Sequence, residues 1–222
     1  MRLKLPDENT DFHLAGFSRS GNTFAASLIK NLLIKNYKLN FNFASHLHST
    51  AVLKKCEALN LLQINLIRKP IDPIASGYLK YYALRNEEPP QVLDTILLKY
   101  LVMQYDAYYK YALSHSSNYR FVLFEDLIQY NLGFAKFITD ILGYADVREK
   151  LKQVDIDKFN LFFKEHEKKK NPLGGSLPNK LKNERKKKVQ KVLETLTKFK
   201  QSQIIYNEIV KLRIHLEEYE NH

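Results

Sequence analysis

The sequence predicts a three-layer α/β/α domain built on a central, mostly parallel sheet. Short apolar runs of strand length alternate along the chain with longer segments of helical periodicity. Strands that are separated by helices pair in parallel, because the helix carries the chain back to the edge where the previous strand began. A glycine-bounded turn at residues 16–21 joins the first strand to the first helix, an order typical of phosphate-binding turns.

Residues 12–15 form a short apolar run and predict the first, buried strand. The first helix is expected from residue 23 to about 35, because apolar residues recur there every three or four positions. Residues 39–44 alternate apolar residues with asparagine and predict the second strand. A short helix at 51–59 follows, and the apolar run at 61–67 predicts a third, buried strand.

A helix over residues 74–84 ends at a break rich in glutamate and proline, residues 87–90. The longest helical pattern covers 92–114, and we interpret its many tyrosines as part of the core. A fourth strand is predicted at 120–124, and a helix at 133–142 follows it. Ligands of parallel sheets collect at the carboxyl ends of the strands, so functional residues are expected in the loops that follow the four strands.

The C-terminal third is predicted to be mainly helical. Residues 147–167 are helical in part, and 171–178 have the glycine and proline content of a loop. Asn183 is a predicted N-cap for a long helix or helix pair. The chain is therefore expected to form a single domain over residues 1–222, with a C-terminal helical segment at about 183–220 packing on it.

Composition indicates a globular protein, since 45% of the 222 residues are hydrophobic and 12% are aromatic. The apolar runs are too short for a membrane span, and the N-terminus lacks the apolar stretch of a signal peptide. The single cysteine, Cys56, excludes an internal disulfide and fits a reducing cytoplasm, where we expect the protein to reside. We interpret Cys56 as a small buried hydrophobic residue.

The net charge of +11 favours a polyanionic partner: nucleic acid, an acidic glycan or a phosphorylated small molecule. Residues 166–188 alone supply +7 of this charge. A nucleic-acid surface would interleave aromatic residues with the basic ones, and residues 164–198 contain none. The sequence therefore predicts no nucleic-acid partner.

Residues 16–23 read GFSRSGNT, the outline of the P-loop GxxxxGK[ST] with Asn22 at the position of the lysine. The cation lies earlier, at Arg19, and a forked guanidinium suits bidentate contact with phosphate or sulfate. In the loop after the third strand, Arg68 leaves the strand end and Ser76 lies about one turn into the next helix. Both could contact a second anionic group.

In this order, the two loops resemble those of the sulfotransferases that use 3′-phosphoadenosine 5′-phosphosulfate (PAPS). Residues 19–23 are similar to the family's 5′-phosphosulfate loop, and residues 68–78 to its Arg-Asn-Pro-x-Asp-x-x-x-Ser-Tyr-Tyr signature, with Gly77 departing from it. The resemblance implies a P-loop-like phosphosulfate-binding turn, a 3′-phosphate held by Arg68 and Ser76, and an aromatic contact with adenine at Phe24. The donor-binding residues so implied are Arg19, Ser20, Gly21, Asn22, Thr23, Phe24, Arg68 and Ser76.

Two further segments resemble the family. Residues 121–127 are similar to a strand that ends in Tyr-Glu-Asp-Leu, with Phe124 where tyrosine is common near the adenine. The basic stretch that ends in Lys169 and Lys170, followed by a glycine-rich loop, is similar to a loop that closes over the nucleotide. Phe124, Lys169 and Lys170 are therefore added to the implied donor-binding residues.

The resemblance also implies the catalytic groups. His46 follows the second strand, where the family places a histidine that removes the acceptor's proton, and His48 is the alternative base. Ala44 stands where the family often has a lysine. Arg19 would offset the charge that develops on the departing 5′-phosphate. No metal is implied.

The resulting prediction is an enzyme that moves a sulfuryl group from PAPS to a hydroxyl or amine and releases 3′-phosphoadenosine 5′-phosphate (PAP). The acceptor is a small molecule or a glycan, and the small size of the chain favours an open cleft that admits a saccharide. The alternatives are a P-loop small-molecule kinase, with Asp126 as the acid that holds Mg²⁺, and an inactive PAP-binding or nucleotide-binding protein of the same fold.

Overall fold

The computed structural model describes residues 5–45, 47–168 and 180–220. In these residues four parallel strands form one sheet in the order β2–β1–β3–β4. The strands are β1 (Phe12–Gly16), β2 (Phe43–Ser45), β3 (Leu62–Ile67) and β4 (Tyr119–Leu123). The predicted parallel pairing is confirmed.

Helices cross between the strands and follow the last of them. The described helices are α1 (Asn22–Leu28), α2 (Thr50–Ala58), α3 (Ile71–Ala83), α4 (Thr95–Ser114), α5 (Phe124–Gln129), α6 (Asn131–Ile141), α7 (Ala145–Lys150), α8 (Gln153–Lys168), α9 (Lys180–Thr195), α10 (Phe199–Val210) and α11 (Leu216–Glu220). Helix α1 continues without a break as a π-helix over Ile29–Asn36, and a 3₁₀ turn covers Ser116–Asn118.

The sheet lies between two layers of helices, because successive side chains of a strand point to opposite faces. Leu14 and Ile64 belong to a core cluster with α1, α6, α8 and α11 on one face. Ile67 and Phe121 belong to a second cluster with α3, α4, α9 and α10 on the other. The three-layer α/β/α architecture is therefore confirmed.

The strand register brings the carboxyl ends of three strands together. Gly16 at the end of β1 is paired with Leu66 in β3, and Ile67 is paired with Leu123 at the end of β4. The turn after β1, the loop after β3 and the start of α5 therefore share one edge of the sheet, where ligands of such folds bind.

The second strand is shorter than the predicted 39–44. Lys38 adopts a positive φ of 56°, and the Leu39 N–H donates to the Leu33 carbonyl at 3.2 Å. The chain thus folds back on the preceding helix, and Leu39 is buried as irregular structure until β2 begins at Phe43.

Two further boundaries differ from the prediction. Asn183 is not an N-cap, because α9 already begins at Lys180. Phe124 is not a strand residue, because β4 ends at Leu123 and Phe124 begins α5. The C-terminal helices cover earlier ones: α9 packs on α3, α10 on α4 and α11 on α6. Within the described ranges, the helices lack the combination of length and apolar character that crossing a bilayer requires.

Candidate functional site

A cavity of about 740 Å³ opens at the carboxyl edge of the sheet. It brings together residues from both predicted nucleotide loops and from the end of β4. The predicted site residues that line it are Arg19, Gly21, Asn22, Thr23, Phe24, Arg68, Ser76 and Phe124. His46, Lys169 and Lys170 lie outside the described residues.

The turn after β1 depends on two glycines. Gly16 and Gly21 have φ values of 138° and 99°, a region that residues with a side chain rarely adopt. A Cβ at Gly16 would lie 2.7 Å from the Leu66 carbonyl oxygen, and a Cβ at Gly21 would lie 2.6 Å from the Phe124 ring. The turn can therefore pass this close to β3 and α5 only with glycine at both positions.

Two tyrosines of α4 hold the turn by its backbone. The Gly16 N–H donates to the Tyr108 hydroxyl at 2.8 Å, and the Phe17 N–H donates to the Tyr109 hydroxyl at 3.2 Å. Tyr109 in turn donates to the Leu66 carbonyl of β3 at 2.7 Å. Burial raises the pKa of both tyrosines, so they stay protonated hydroxyls. Sequence reasoning placed these tyrosines in the core but missed this role.

Asn22, at the position of the P-loop lysine, also holds the turn. Its side chain is only 4% exposed, and Nδ2 donates to the carbonyls of Phe17 at 3.1 Å and Gly16 at 3.3 Å. The first backbone bond of α1 runs from Ala25 N–H to the Gly21 carbonyl at 3.1 Å. The N–H groups of residues 22–24 precede it, as at any helix start, and can serve an anion.

The structure does not bring Ser20 to the cavity. Its N–H donates to the Phe17 carbonyl at 3.1 Å, and its fully buried Oγ lies 3.4 Å from the Tyr109 hydroxyl. Ser20 closes the turn from inside, whereas Gly21 and Thr23 reach the cavity wall.

The two predicted loops are in direct contact. Arg19, in the left-handed region with φ 73°, donates from Nε to Ser76 Oγ at 3.1 Å. Arg68 Nη1 donates to the Arg19 carbonyl at 3.4 Å. Burial lowers the pKa of the Arg19 guanidinium, Arg68 lowers it further, and Glu167 in α8 opposes the shift. Arg19 thus links the two halves of the site.

Arg68 is oriented from several sides. Its guanidinium carbon lies 4.1 Å from the centre of the Phe124 ring, a cation–π contact, and Nε lies 3.7 Å from Asp72 Oδ2. The Tyr105 hydroxyl donates to the Arg68 carbonyl at 3.0 Å. Lys186 of α9 also pairs with Asp72, so the C-terminal helix supplies a further cation to this end of the cavity.

Aromatic rings form part of the wall. Phe24 packs edge-on against Phe159, with ring centres 5.5 Å apart, and against Phe163 at 5.1 Å. Phe24, Phe124 and Phe163 all line the cavity. Flat rings beside charged groups are suited to a ligand that combines an aromatic base with phosphates.

His48 is the histidine that the structure places at the cavity. Its Nδ1 lies 2.6 Å from the Gly16 carbonyl oxygen, so Nδ1 carries hydrogen and donates it. In the neutral ring Nε2 is then the basic nitrogen. Burial lowers the pKa of His48, the contact with the Gly16 carbonyl opposes this, and Lys80 lowers it further. A neutral His48 near pH 7 is the form that accepts a proton.

Several wall residues were missed at the sequence level: Lys80, Asn160, Lys164, Asn183 and Lys186. Lys80 alone had a local signal, because it follows Ser76 by four residues and shares its helix face. The others reach the cavity from α8 and α9, far away in sequence, and only tertiary packing brings them there.

The acid proposed for a kinase is occupied elsewhere. Asp126 does not line the cavity, and its Oδ2 lies 3.5 Å from Arg213 Nε. Burial raises the pKa of Asp126, and Arg213 opposes the shift. Glu125 is the carboxylate at the cavity wall. Among the described residues, no three or more side chains of His, Cys, Asp and Glu lie together as a metal-binding group.

Comparison of the chain with protein-family models, with curated proteins and with solved structures gives no significant match. The function is therefore inferred from the geometry of the cavity and from the resemblance of its loops.

Proposed function

We propose that the protein is a PAPS-dependent sulfotransferase. The observation that carries the proposal is the contact between Arg19 and Ser76, 3.1 Å, at the wall of one cavity. It joins a turn suited to one anionic group to a loop whose Arg68 is suited to another. A ligand with two separate phosphates, one of them carrying sulfate, matches this pair of positions.

In this proposal the donor spans the cavity. The N–H groups that begin α1 and the Arg19 guanidinium bind the 5′-phosphosulfate. Arg68 binds the 3′-phosphate together with Ser76, which accepts from Arg19, and Lys186 shares the Asp72 carboxylate with Arg68. The adenine packs against the wall that Phe24 and Phe163 form.

The cavity's charge supports a polyanionic donor. Its charged wall residues are Arg19, Arg68, Lys80, Lys164, Lys186 and, with the opposite sign, Glu125. A phosphomonoester carries about −1.5 to −2 at neutral pH, so a nucleotide with two phosphates and a sulfate balances most of the excess positive charge.

The transfer needs a base and a stabilised leaving group. The acceptor oxygen attacks sulfur, its proton passes to a histidine, and the bond from sulfur to the 5′-phosphate oxygen breaks as PAP leaves. In this proposal His48 takes the proton through Nε2, supported by its position at the cavity wall and by the hydrogen bond that occupies Nδ1. Arg19 and the start of α1 offset the charge on the departing phosphate without reorganising.

The rim of the cavity favours an acceptor rich in hydroxyl groups. The amide side chains of Gln129, Asn160 and Asn183 line the same cavity, and amides both donate to and accept from hydroxyls. A saccharide hydroxyl is therefore the acceptor we propose.

The proposal is tested first by the binding of PAP and PAPS and then by the transfer of sulfate to an acceptor. PAP and PAPS, each at about a hundredfold excess over its dissociation constant, should stabilise the protein by about 2.7 kcal/mol, a clear rise in melting temperature. Arg68→Met should abolish the rise. Arg120→Met is the matched control, because Arg120 is exposed near the start of β4, at the opposite end of the strand from the cavity.

Two outcomes would contradict the proposal. Stabilisation by ATP with Mg²⁺, and by neither PAP nor PAPS, would favour the kinase alternative. Binding of PAP and PAPS without transfer of labelled sulfate to any of a panel of sugars, phenols and amines would favour an inactive nucleotide-binding protein.

A further inference from the structure

Lys80 lines the cavity, but it belongs to neither of the two loops that resemble nucleotide-binding loops. It lies half-buried on α3, one helical turn beyond Ser76, so it follows the Ser76–Arg19 contact along the same face. Within the described part of the chain, no carboxylate forms an ion pair with its Nζ. A half-buried ammonium without a counter-charge is costly unless a ligand supplies one.

The other half-buried cations of the cavity have acidic neighbours. Lys186 and Arg68 both pair with Asp72. Glu167 lies close enough to Arg19 to raise its pKa against the effect of burial. Among the described residues, Asp72 is thus the ion-pair partner of Arg68 and Lys186, and Glu167 lies near Arg19, whereas Lys80 has no carboxylate in an ion pair with it.

The neighbours of Lys80 are basic groups. Burial lowers the pKa of the Lys80 ammonium, and Arg19 lowers it further. Lys80 in turn lowers the pKa of His48, so Lys80 is close enough to both Arg19 and His48 to repel each of them when charged. Such a cluster, open to a cavity, is a site for an oxyanion.

We infer that Arg19, His48 and Lys80 form a second oxyanion position, and that it holds the sulfuryl group of the donor. This inference rests on the proposed function. Arg19 is shared by the two positions, because it donates to Ser76 and lies close enough to Lys80, one turn further along α3, to lower the pKa of Lys80. Lys80 is then a catalytic residue that contacts the oxygens of the sulfuryl group as it passes from phosphate to acceptor.

Because Lys80 lies close to His48, its proposed role in sulfuryl transfer differs from general binding of the nucleotide. When the bond between the acceptor oxygen and sulfur forms and the bond from sulfur to phosphate breaks, the proton of the acceptor moves to His48. A cation beside the sulfuryl oxygens stabilises them throughout, and it keeps His48 neutral and able to accept that proton. PAP has no sulfuryl group and gains nothing from Lys80.

The experiment compares the affinities for PAPS and PAP in Lys80→Met, which keeps the length of the side chain and loses its charge. PAPS affinity should fall about tenfold, PAP affinity should stay within about twofold, and turnover should fall about a hundredfold. Lys69→Met is the control, because Lys69 is exposed beside Arg68 and lies outside the cavity wall. An equal loss of both affinities, or no loss, would overturn the assignment.

A second measurement separates this inference from the proposed function. If the wild-type protein binds neither PAP nor PAPS, the proposed function fails, and titration with inorganic sulfate at constant ionic strength then tests the position alone. Weaker sulfate binding in Lys80→Met than in Lys69→Met supports an oxyanion position at Lys80. Equal binding in the two variants overturns it.

Discussion

His48 is held in one tautomer by the backbone of the turn after β1. Nδ1 donates to the Gly16 carbonyl at 2.6 Å, and Gly16 is itself fixed by the Tyr108 hydroxyl. Any movement of the turn is therefore transmitted to the ring. Lys80 and His13 both interact with His48 electrostatically, and both disfavour a positive charge on it.

This arrangement predicts a pH profile. A base acts when neutral, and burial lowers the pKa of His48, so the fall of kcat/KM on the acid side should lie at lower pH than an unperturbed histidine would give. Lys80→Met removes a repulsion and raises the pKa of His48, so the acid limb should move to higher pH. Rates between pH 5 and 8 check both expectations.

The identity of the base is tested by paired substitutions. His48→Gln should lower kcat about a hundredfold or more with PAP binding retained, and His46→Gln should have a much smaller effect. The opposite result would assign the proton transfer to His46, the base that the family resemblance implies. An acid limb that does not move in Lys80→Met would show that His48 is not the titrating group.

At the scale of elements, α4 supports the turn after β1. Tyr109→Phe removes the hydroxyl that accepts from Phe17 N–H and donates to the Leu66 carbonyl, and it leaves both buried groups without that partner. The free energy of unfolding should fall by about 1 to 3 kcal/mol, and PAP binding should weaken with it. Chemical denaturation and PAP titration measure the two effects.

Tyr100→Phe provides the control on the same helix, because Tyr100 is 54% exposed. It should change neither stability nor binding. If Tyr109→Phe behaved like Tyr100→Phe, the turn would keep its shape without α4.

The elements show what sequence periodicity can and cannot predict. The four strands and the major helices follow from apolar spacing, since burial on a sheet face or helix face determines that spacing. The spacing treats tyrosine as apolar, so it gave no sign that the hydroxyls of Tyr108 and Tyr109 accept hydrogen bonds from the turn. It also predicted too long a second strand, because apolar spacing does not reveal the positive φ at Lys38 that folds the chain back onto the end of the preceding helix.

At the scale of the whole molecule, the two faces of the sheet have different chemistry. One face is apolar where it meets α1 and α6. The other face carries His13, Gln63 and Asn65, all fully buried, with His13 Nδ1 3.5 Å from Gln63 Oε1. Burial lowers the pKa of His13 to about 4, and the Gln63 contact opposes the shift.

The lowered pKa of His13 makes global stability depend on pH. The unfolded chain binds a proton near pH 6.5 and the folded one only near 4, so this stabilisation is present above pH 6.5 and is lost as pH falls towards 4. Between pH 7 and 5 His13 should account for a loss of about 2 kcal/mol. His13→Gln should lose about that much less over the same range.

Urea unfolding at the two pH values measures this difference. His166→Gln is the control, because His166 is exposed on α8, and it should lose as much stability as the wild type. Identical losses in all three proteins would show that His13 does not titrate within the folded state as burial requires.

As with the fold, the sequence predicted the parts of the candidate site that depend on local sequence and missed those that depend on tertiary packing. Local motifs identified Arg19, Arg68 and Ser76, since Arg19 and Arg68 lie in loops that directly follow a strand and Ser76 lies early in the helix after the second of these loops. They could not identify Lys186 or Asn160, because these reach the cavity from helices whose sequences carry no loop signature. Ser20 was predicted to contact the ligand but lies inside the turn, because a motif gives the residue type and not the direction of the side chain.

The Asn22 amide has a consequence for redesign of the turn. It donates to the Gly16 and Phe17 carbonyls, so its side chain is part of the loop's scaffold. Installing lysine there to obtain a triphosphate pocket would remove both bonds while adding a charge next to Arg19. The single substitution Asn22→Lys is therefore not expected to turn the loop into a triphosphate-binding P-loop. Converting the specificity would require a new set of internal contacts for the loop before any new contact with a ligand.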